Sequence, residues 1–157
     1  MPEVIARVPT AHYVLVGKGE DAERVKQLRA QLGVADQVTL AGFVEEAELP
    51  DYYRLCDVFA LPSAGEGFGI VFLEALLSGK PCVGGADDGF REPLRGGALG
   101  ALVDVDDRAQ LVDALVAALT AGGKDAQRLR NEAVKHFGKA RFRERLKEAL
   151  ARVGVAP

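Results

Sequence analysis

The chain has 157 residues, of which 48% are hydrophobic and 27% are charged, and this length and composition predict one globular domain with a sizeable core. The formal net charge of −3 offers no basic field to a phosphate backbone, so we expect no nucleic-acid partner. No apolar run approaches the roughly 20 residues of a membrane span, and the N-terminus lacks the layout of a signal peptide. We therefore expect a cytoplasmic protein without a transmembrane segment.

Strands and helices alternate along most of the sequence. The predicted strands are 12–17, 37–41, 57–61, 81–84 and 100–103. The predicted helices are 20–32, 46–56, 68–78, a short one near 89–94, 107–121, 125–137 and 138–151. This alternation predicts the α/β class, with a Rossmann-like parallel sheet that carries helices on both faces. Ligands of such sheets bind beyond the carboxyl ends of the strands. The segments that directly follow strands are 17–19, 42–44, 62–69 and 85–92.

The cysteines and histidines give no sign of a metal site. Cys56 and Cys82 lack metal-like spacing and lie in apolar surroundings, so we interpret both as structural thiols. His12 and His136 are far apart in sequence, and neither belongs to a recognisable motif. We therefore interpret both histidines as surface or packing residues.

A glycine-rich turn between a predicted strand and a predicted helix is the most informative segment. Pro62 closes the strand, and apolar residues at 68, 71, 72, 75 and 76 predict a helix that starts at Phe68. Gly67 and Gly69 then lie at the helix N-terminus, where the first backbone amides lack intrahelical partners and the macrodipole is positive. We predict that these amides bind a diphosphate, and that glycine lets the anion approach without a Cβ in the way.

Two carboxylates flank this turn. Glu74 lies six residues past Phe68, about 9 Å along the helix axis, which is beyond the phosphates but within reach of a neighbouring ribose. A carboxylate suits a vicinal diol because it accepts two hydrogen bonds at once. Glu66 precedes the helix, on the side where a transferred sugar would lie. The segment therefore predicts a nucleotide-sugar site.

The segment from Glu66 to Val83 resembles the E-x7-E signature of family 4 glycosyltransferases, also called group 1 glycosyltransferases. Supporting matches lie upstream at 12–19, 38–44 and 51–63, and downstream at 88–94 and 100–107. The resemblance covers most of the chain and is strongest between Val38 and Asp107.

The resemblance implies a retaining, hexosyltransferase-like enzyme of GT-B architecture, in which two Rossmann-like domains face each other across a cleft. This chain resembles only the C-terminal, donor-binding half-domain. Glu66 would be the catalytic residue, hydrogen-bonding the transferred sugar near its reacting carbon, and Glu74 would hold the ribose hydroxyls. The other implied donor contacts are Gly67, Phe68, Gly69 and Ile70 at the diphosphate and sugar, Phe43 and Val44 at the base, and Gly89 to Glu92 near the donor. A nucleoside diphosphate sugar would be the donor substrate, without a metal or another cofactor.

The chain departs from the family pattern at its N-terminus. The family opens this domain with a strand, a Gly-Arg segment and a lysine, whereas Met1 to Pro9 resembles the end of the helix that follows them. We therefore expect an N-terminally truncated donor domain without its acceptor domain, and little transfer activity from it alone. The absent domain would bind the acceptor, which would be a sugar, a lipid or another hydroxyl compound. Any peripheral contact with a membrane would also be made through that domain.

Two other hypotheses remain open at this point. Gly17 to Ala22 fits a G-x-G-x-x-A dinucleotide turn, with Glu45 as the ribose acid, which is typical of an oxidoreductase. Lys18 within this turn is interpreted as a solvated residue, because the rest of a Walker pattern is absent. Alternatively, the chain is a non-catalytic nucleotide- or partner-binding module of GT-B type. The sequence leaves the base, the sugar, the acceptor and the oligomeric state open.

Overall fold

The structure is a computed structural model that describes residues 1–63, 67–86 and 88–154. Its strands are β1 (Tyr13–Val16), β2 (Val38–Gly42), β3 (Phe59–Leu61), β4 (Cys82–Gly85) and β5 (Ala101–Val103). Its α-helices are α1 (Pro2–Arg7), α2 (Ala22–Gln31), α3 (Leu49–Leu55), α4 (Ile70–Leu77), α5 (Asp88–Arg91), α6 (Arg108–Thr120), α7 (Ala126–Phe137) and α8 (Lys139–Arg152). No helix in these ranges is long and apolar enough to cross a membrane.

All strand pairs are parallel, as the alternation predicts, but they form two sheets where the sequence predicts one. β1 pairs with β2, and the order in the second sheet is β3-β4-β5. In the doubly wound order 3-2-1-4-5-6, β1 and β2 correspond to strands 2 and 3, and β3, β4 and β5 correspond to strands 4, 5 and 6. Strand 1 of that order lies between 2 and 4, and it has no counterpart in the described ranges. The sheet therefore divides at that place.

The main core surrounds α4. Phe72, Ala75 and Leu76 on this helix are fully buried, and Phe90 and Leu94 pack against them. Helix α7 also packs on α4, through buried side chains that include Leu129 and Ala133. A smaller cluster of Val4, Ala11 and Val116 joins α1 to α6. The apolar spacing of α4 thus correctly predicts which of its faces is buried.

Helix α4 begins at Ile70, two residues later than the sequence predicts. Gly69 adopts the left-handed conformation, with φ 71° and ψ 56°, and this backbone cannot continue a right-handed helix. Gly69 is therefore the N-cap, and Phe68 lies in the preceding turn. The end of the helix agrees with the prediction to within one residue.

Both cysteines are free and pack as the sequence predicts. Cys82 is buried and Cys56 is half-buried, and burial raises the pKa of each thiol above its ordinary value. The Sγ of Cys56 donates to the carbonyl of Tyr53, and the Sγ of Cys82 donates to the carbonyl of Lys80, both at 3.4 Å. In the part of the chain that the structure describes, no group of three or more His, Cys, Asp or Glu side chains is arranged to hold a metal ion.

Candidate functional site

The loops after β3 and β4 meet at the carboxyl edge of the three-stranded sheet. A Cβ on Gly85, the last residue of β4, would overlap the carbonyl oxygen of Ser63, which follows β3. Only glycine therefore allows this close approach between the two backbones. The approach brings Ser63 beside the last residue of β4, at the strand ends where Rossmann-like folds bind their ligands.

The N-terminus of α4 is open. Gly69 has no side chain to cap it, and the amide of Phe72 already donates to the Gly69 carbonyl at 3.0 Å. The amides of Ile70 and Val71 are the first two of the helix and have no intrahelical partner. The side chain of Ile70 is 66% exposed, so this end of the helix is accessible from solvent. Within the described part of the chain no backbone carbonyl accepts from these two amides, and they and the positive end of the macrodipole together favour an anion.

Gly69 is required for a different reason from the one that the sequence suggests. A Cβ built on it would lie 2.8 Å from Cδ1 of Phe90 and 3.0 Å from Cδ2 of Phe72. The missing Cβ therefore points into the aromatic core and not towards a ligand. Gly67 is different, because a Cβ there would meet no described atom within 4 Å. The predicted steric role of glycine beside an anion is therefore wrong for Gly69.

A chain of aromatic contacts supports α4 from behind. The ring of Phe72 lies 4.9 Å from that of Phe90 and 5.3 Å from that of Phe59, both edge to face. The ring of Tyr53 continues the series, 5.6 Å from that of Phe59. Such contacts add stabilisation to that of the buried area. They fix α5, α4, β3 and α3 relative to one another around the open helix end.

Glu74 is exposed, and its carboxylate is held by a residue that the sequence does not single out. It lies four residues after Ile70, about 6 Å along the helix axis, which is closer to the helix start than the predicted 9 Å. Its Oε2 accepts a hydrogen bond from the Tyr53 hydroxyl at 2.7 Å. Burial first, and then this bond, raises the pKa of Tyr53 well above its usual range, so the phenol stays protonated and donates.

The predicted base contacts lie after β2. Phe43 is 59% exposed and follows this strand directly, and Val44 is half-buried. Lys18 Nζ lies 4.9 Å from the centroid of the Phe43 ring, so the loops after β1 and β2 touch through a cation–π contact. Among the described residues, no hydrogen bond or aromatic contact joins this pair to Gly69 or Glu74. The assignment of Phe43 and Val44 to the base stays a prediction.

Two other predicted parts of the site are described: Phe68 in the turn before α4, and Gly89 to Glu92 in and directly after α5. Phe68 is half-buried, and its ring lies 6.2 Å from that of Phe137. Phe137 also lines a cavity of about 290 Å³, together with residues that include Arg91, Glu92 and Arg145. Arg91 Nε donates to the carbonyl of Ala86 at 2.9 Å, so this side chain is tied to the loop after β4. Glu66 lies outside the described residues, and its role stays a prediction.

Curated relatives of this sequence transfer mannose. The sequence matches the family described as glycosyl transferases group 1 over residues 1–136. It is 39% identical over 122 residues to a GDP-mannose-dependent alpha-(1-6)-phosphatidylinositol monomannoside mannosyltransferase of Mycobacterium tuberculosis, a match covering 73% of this chain and 32% of that protein. It is also 39% identical over 125 residues to a phosphatidyl-myo-inositol mannosyltransferase of the same species, covering 76% of this chain and 32% of that protein. The chain thus spans about a third of the length of these relatives.

Solved structures share the fold. The chain resembles Anabaena Alr3699/HepE in complex with UDP, with a TM-score of 0.73 and 26% identity, over 96% of this chain and 44% of that chain. It also resembles the apo form of the lipopolysaccharide outer core galactosyltransferase WaaB, with a TM-score of 0.79 and 19% identity, over 96% of this chain and 44% of that chain. The second likeness concerns the fold alone. Together they confirm the predicted Rossmann-like half-domain, and the family match confirms the resemblance drawn from the E-x7-E signature: the chain belongs to the group 1 glycosyl transferases.

Proposed function

We propose that this chain is the donor-binding part of a retaining glycosyltransferase, which transfers a sugar from a nucleoside diphosphate sugar to an acceptor hydroxyl. The observation that carries the proposal is the arrangement on α4. The amides of Ile70 and Val71, which have no backbone partner among the described residues, lie at an exposed helix end, and the exposed Glu74 carboxylate lies about 6 Å further along the same helix. An anion site and a diol site are thus spaced along one rigid element.

The diphosphate would lie at the helix end. Backbone amides there donate hydrogen bonds to phosphate oxygens, and the positive end of the dipole favours their charge. When the sugar leaves, negative charge grows on the diphosphate, so the same amides stabilise the transition state more than the ground state. Helix α4 is fixed by its aromatic contacts, so this stabilisation needs little reorganisation during the reaction. The family resemblance, and not the structure, supports a reaction without a metal.

Glu74 would bind the ribose. A carboxylate accepts from both hydroxyls of a vicinal diol, and hydrogen bonds to charged groups contribute roughly 1.5–3 kcal/mol. Its distance from the helix end limits repulsion of the diphosphate. Glu66 would hydrogen-bond the transferred sugar, and the acceptor hydroxyl, from a sugar or lipid, would enter from a separate acceptor domain.

Guanine is our first choice of base. The curated relative at 39% identity is named as GDP-mannose-dependent, whereas the solved structure at 26% identity contains UDP. The higher sequence identity favours GDP-mannose as the donor, with a UDP-sugar as the second candidate. The oxidoreductase hypothesis has lost its support, because the chain belongs to a glycosyl transferase family.

Calorimetric titration of GDP, UDP, ADP and NAD into the 157-residue chain tests the proposal. We expect one nucleoside diphosphate to bind selectively and Glu74→Gln to weaken it by about tenfold or more, since a charged hydrogen-bond acceptor becomes neutral. Glu148→Gln is the matched control, because Glu148 is an exposed helical glutamate on α8, and it should leave binding unchanged. Preference for NAD, or equal effects of the two variants, would overturn the proposal.

A further inference from the structure

We propose that Tyr53 is a positioning residue for nucleotide binding, whose hydroxyl holds the Glu74 carboxylate in the orientation that receives the ribose diol. The inference rests on the proposed function of Glu74. It adds a residue from a different helix, 21 positions earlier in the chain. Tyr53 would act through Glu74 and would not itself be a catalytic residue.

The contact between the two side chains is short and directional. The Tyr53 hydroxyl lies 2.7 Å from Glu74 Oε2, a normal distance for a hydroxyl that donates to a carboxylate. Glu74 is otherwise exposed, and an exposed glutamate samples many rotamers. A single strong donor at one oxygen restricts the plane of the carboxylate. A ligand that needs this orientation then binds with a smaller loss of conformational entropy in the Glu74 side chain.

Tyr53 can act in this way because its own ring is held. The ring is half-buried and lies 5.6 Å from Phe59, whose ring in turn packs against Phe72 two positions before Glu74. The backbone next to it is also tied down, because Lys80 Nζ donates to the carbonyl of Arg54 at 2.7 Å. The hydroxyl is therefore presented to Glu74 from a fixed position.

The bond leaves the carboxylate able to bind a diol. An ionised carboxylate has about four acceptor positions, and the Tyr53 hydroxyl uses one of them at Oε2. None of the described residues donates to Oε1 or to the second position on Oε2, so these positions can accept from two ribose hydroxyls. Because the phenol pKa is raised by burial and by Glu74, Tyr53 remains a donor throughout the neutral range.

A purely structural role is the competing explanation, in which the bond only ties α3 to α4. The two explanations differ in their dependence on the ligand. A structural tie affects every nucleotide equally, whereas a positioning role affects only ligands that carry ribose hydroxyls. Nucleoside diphosphates with and without the 2′- and 3′-hydroxyls therefore separate them.

The experiment uses whichever of GDP and UDP binds more tightly, and the 2′,3′-dideoxy form of the same nucleotide. The Kd of each ligand is measured for the wild type, Tyr53→Phe, Glu74→Gln and Tyr52→Phe. We expect Tyr53→Phe to weaken the ribose form by about fivefold, as the loss of a modest hydrogen bond would, and to leave the dideoxy form unchanged. In the Glu74→Gln background, Tyr53→Phe should have no further effect. Tyr52 lies on the same helix and is 38% exposed, so Tyr52→Phe should bind both forms like the wild type.

The outcomes distinguish this inference from the proposed function. If Glu74→Gln weakens the ribose form and Tyr53→Phe does not, the inference fails while the function stands. Equal losses on both forms in Tyr53→Phe would show a structural tie and also overturn the inference. If Glu74→Gln binds the ribose form like the wild type, the proposed role of Glu74 fails, and the inference fails with it.

Discussion

Gly69 and Phe90 are in such close contact that a single Cβ on the glycine would lie 2.8 Å from the phenylalanine ring. The glycine caps α4, and the ring belongs to α5, so this contact connects the helix end proposed to bind the diphosphate with the loop after β4. Gly69 also has a φ of 71°, which residues with a Cβ rarely adopt. Two independent constraints therefore require glycine at this position.

Gly69→Ala should lower the free energy of unfolding by about 2–6 kcal/mol, since backbone strain and overpacking each cost roughly 1–3 kcal/mol. Gly67→Ala is the matched control, because its Cβ would meet no described atom within 4 Å. That variant should stay within about 0.5 kcal/mol of the wild type. Urea denaturation measures both. Equal stability of the two alanine variants would contradict the packing role of Gly69.

Phe43→Ala should weaken nucleoside diphosphate binding by about fivefold or more, since stacking of a base on an aromatic ring contributes roughly 1–3 kcal/mol. Binding of inorganic pyrophosphate, which has no base, should not change. Val153→Ala removes another exposed apolar side chain, at the far end of the chain, and should affect neither ligand. Competition titrations measure both affinities. An equal loss for pyrophosphate would show that Phe43 does not border the base.

Asp107→Ala should cost about 1 kcal/mol of stability, which is typical for loss of an N-cap. The Asp107 side chain caps α6 by accepting from the amide of Gln110 at 2.9 Å. Asp125 occupies the same position on α7 without a capping bond and pairs with Arg128 at the surface. Asp125→Ala should therefore cost less than about 0.5 kcal/mol. A larger loss for Asp125→Ala in urea denaturation would refute this comparison.

Stability should fall as the pH rises above about 8.5, the ordinary pKa of a cysteine thiol. Burial raises the pKa of Cys82, so the folded state keeps its proton when the unfolded state has lost it. The contribution is complete below the unfolded pKa and decreases above it, by at most about 1.4 kcal/mol per pH unit for one group.

The measurement is urea denaturation of the wild type and Cys82→Ala at pH 7.5, 8.5 and 9.5. The variant should lose about 1 kcal/mol less than the wild type between the lowest and highest pH. Cys82→Ala is expected to be less stable than the wild type at every pH, but the comparison concerns only how much free energy of unfolding each protein loses as the pH rises. Parallel pH curves for the two proteins would show that the buried thiol does not contribute to the alkaline loss.

The buried face of α4 can be predicted from sequence because burial follows helical periodicity. Apolar residues at the expected spacing identify Phe72, Ala75 and Leu76, and the structure buries all three. The start of the helix cannot be predicted as well, because glycine is free to adopt either a right-handed or a left-handed backbone, and the sequence pattern does not say which one Gly69 takes. Strand patterns alone also predict one sheet, whereas the described residues hold no strand between β1 and β3 that would join the two sheets.

The candidate site is predictable only in part. Glu74 is found because it belongs to the E-x7-E signature. Tyr53 has no such signal, since its hydroxyl finds Glu74 only through the tertiary packing of α3 on α4. The pattern around Asp51 and Tyr52 supports the family resemblance but assigns no role to the neighbouring tyrosine. Contacts between helices distant in sequence require the structure.

A crystal structure of the chain with the tighter-binding nucleoside diphosphate tests the central claim most directly. We predict that the diphosphate accepts hydrogen bonds from the amides of Ile70 and Val71, and that both ribose hydroxyls lie within hydrogen-bond distance of Glu74. A nucleotide bound elsewhere, for example with its diphosphate in the cavity beside Arg91 and Arg145 and its ribose away from Glu74, would contradict the account.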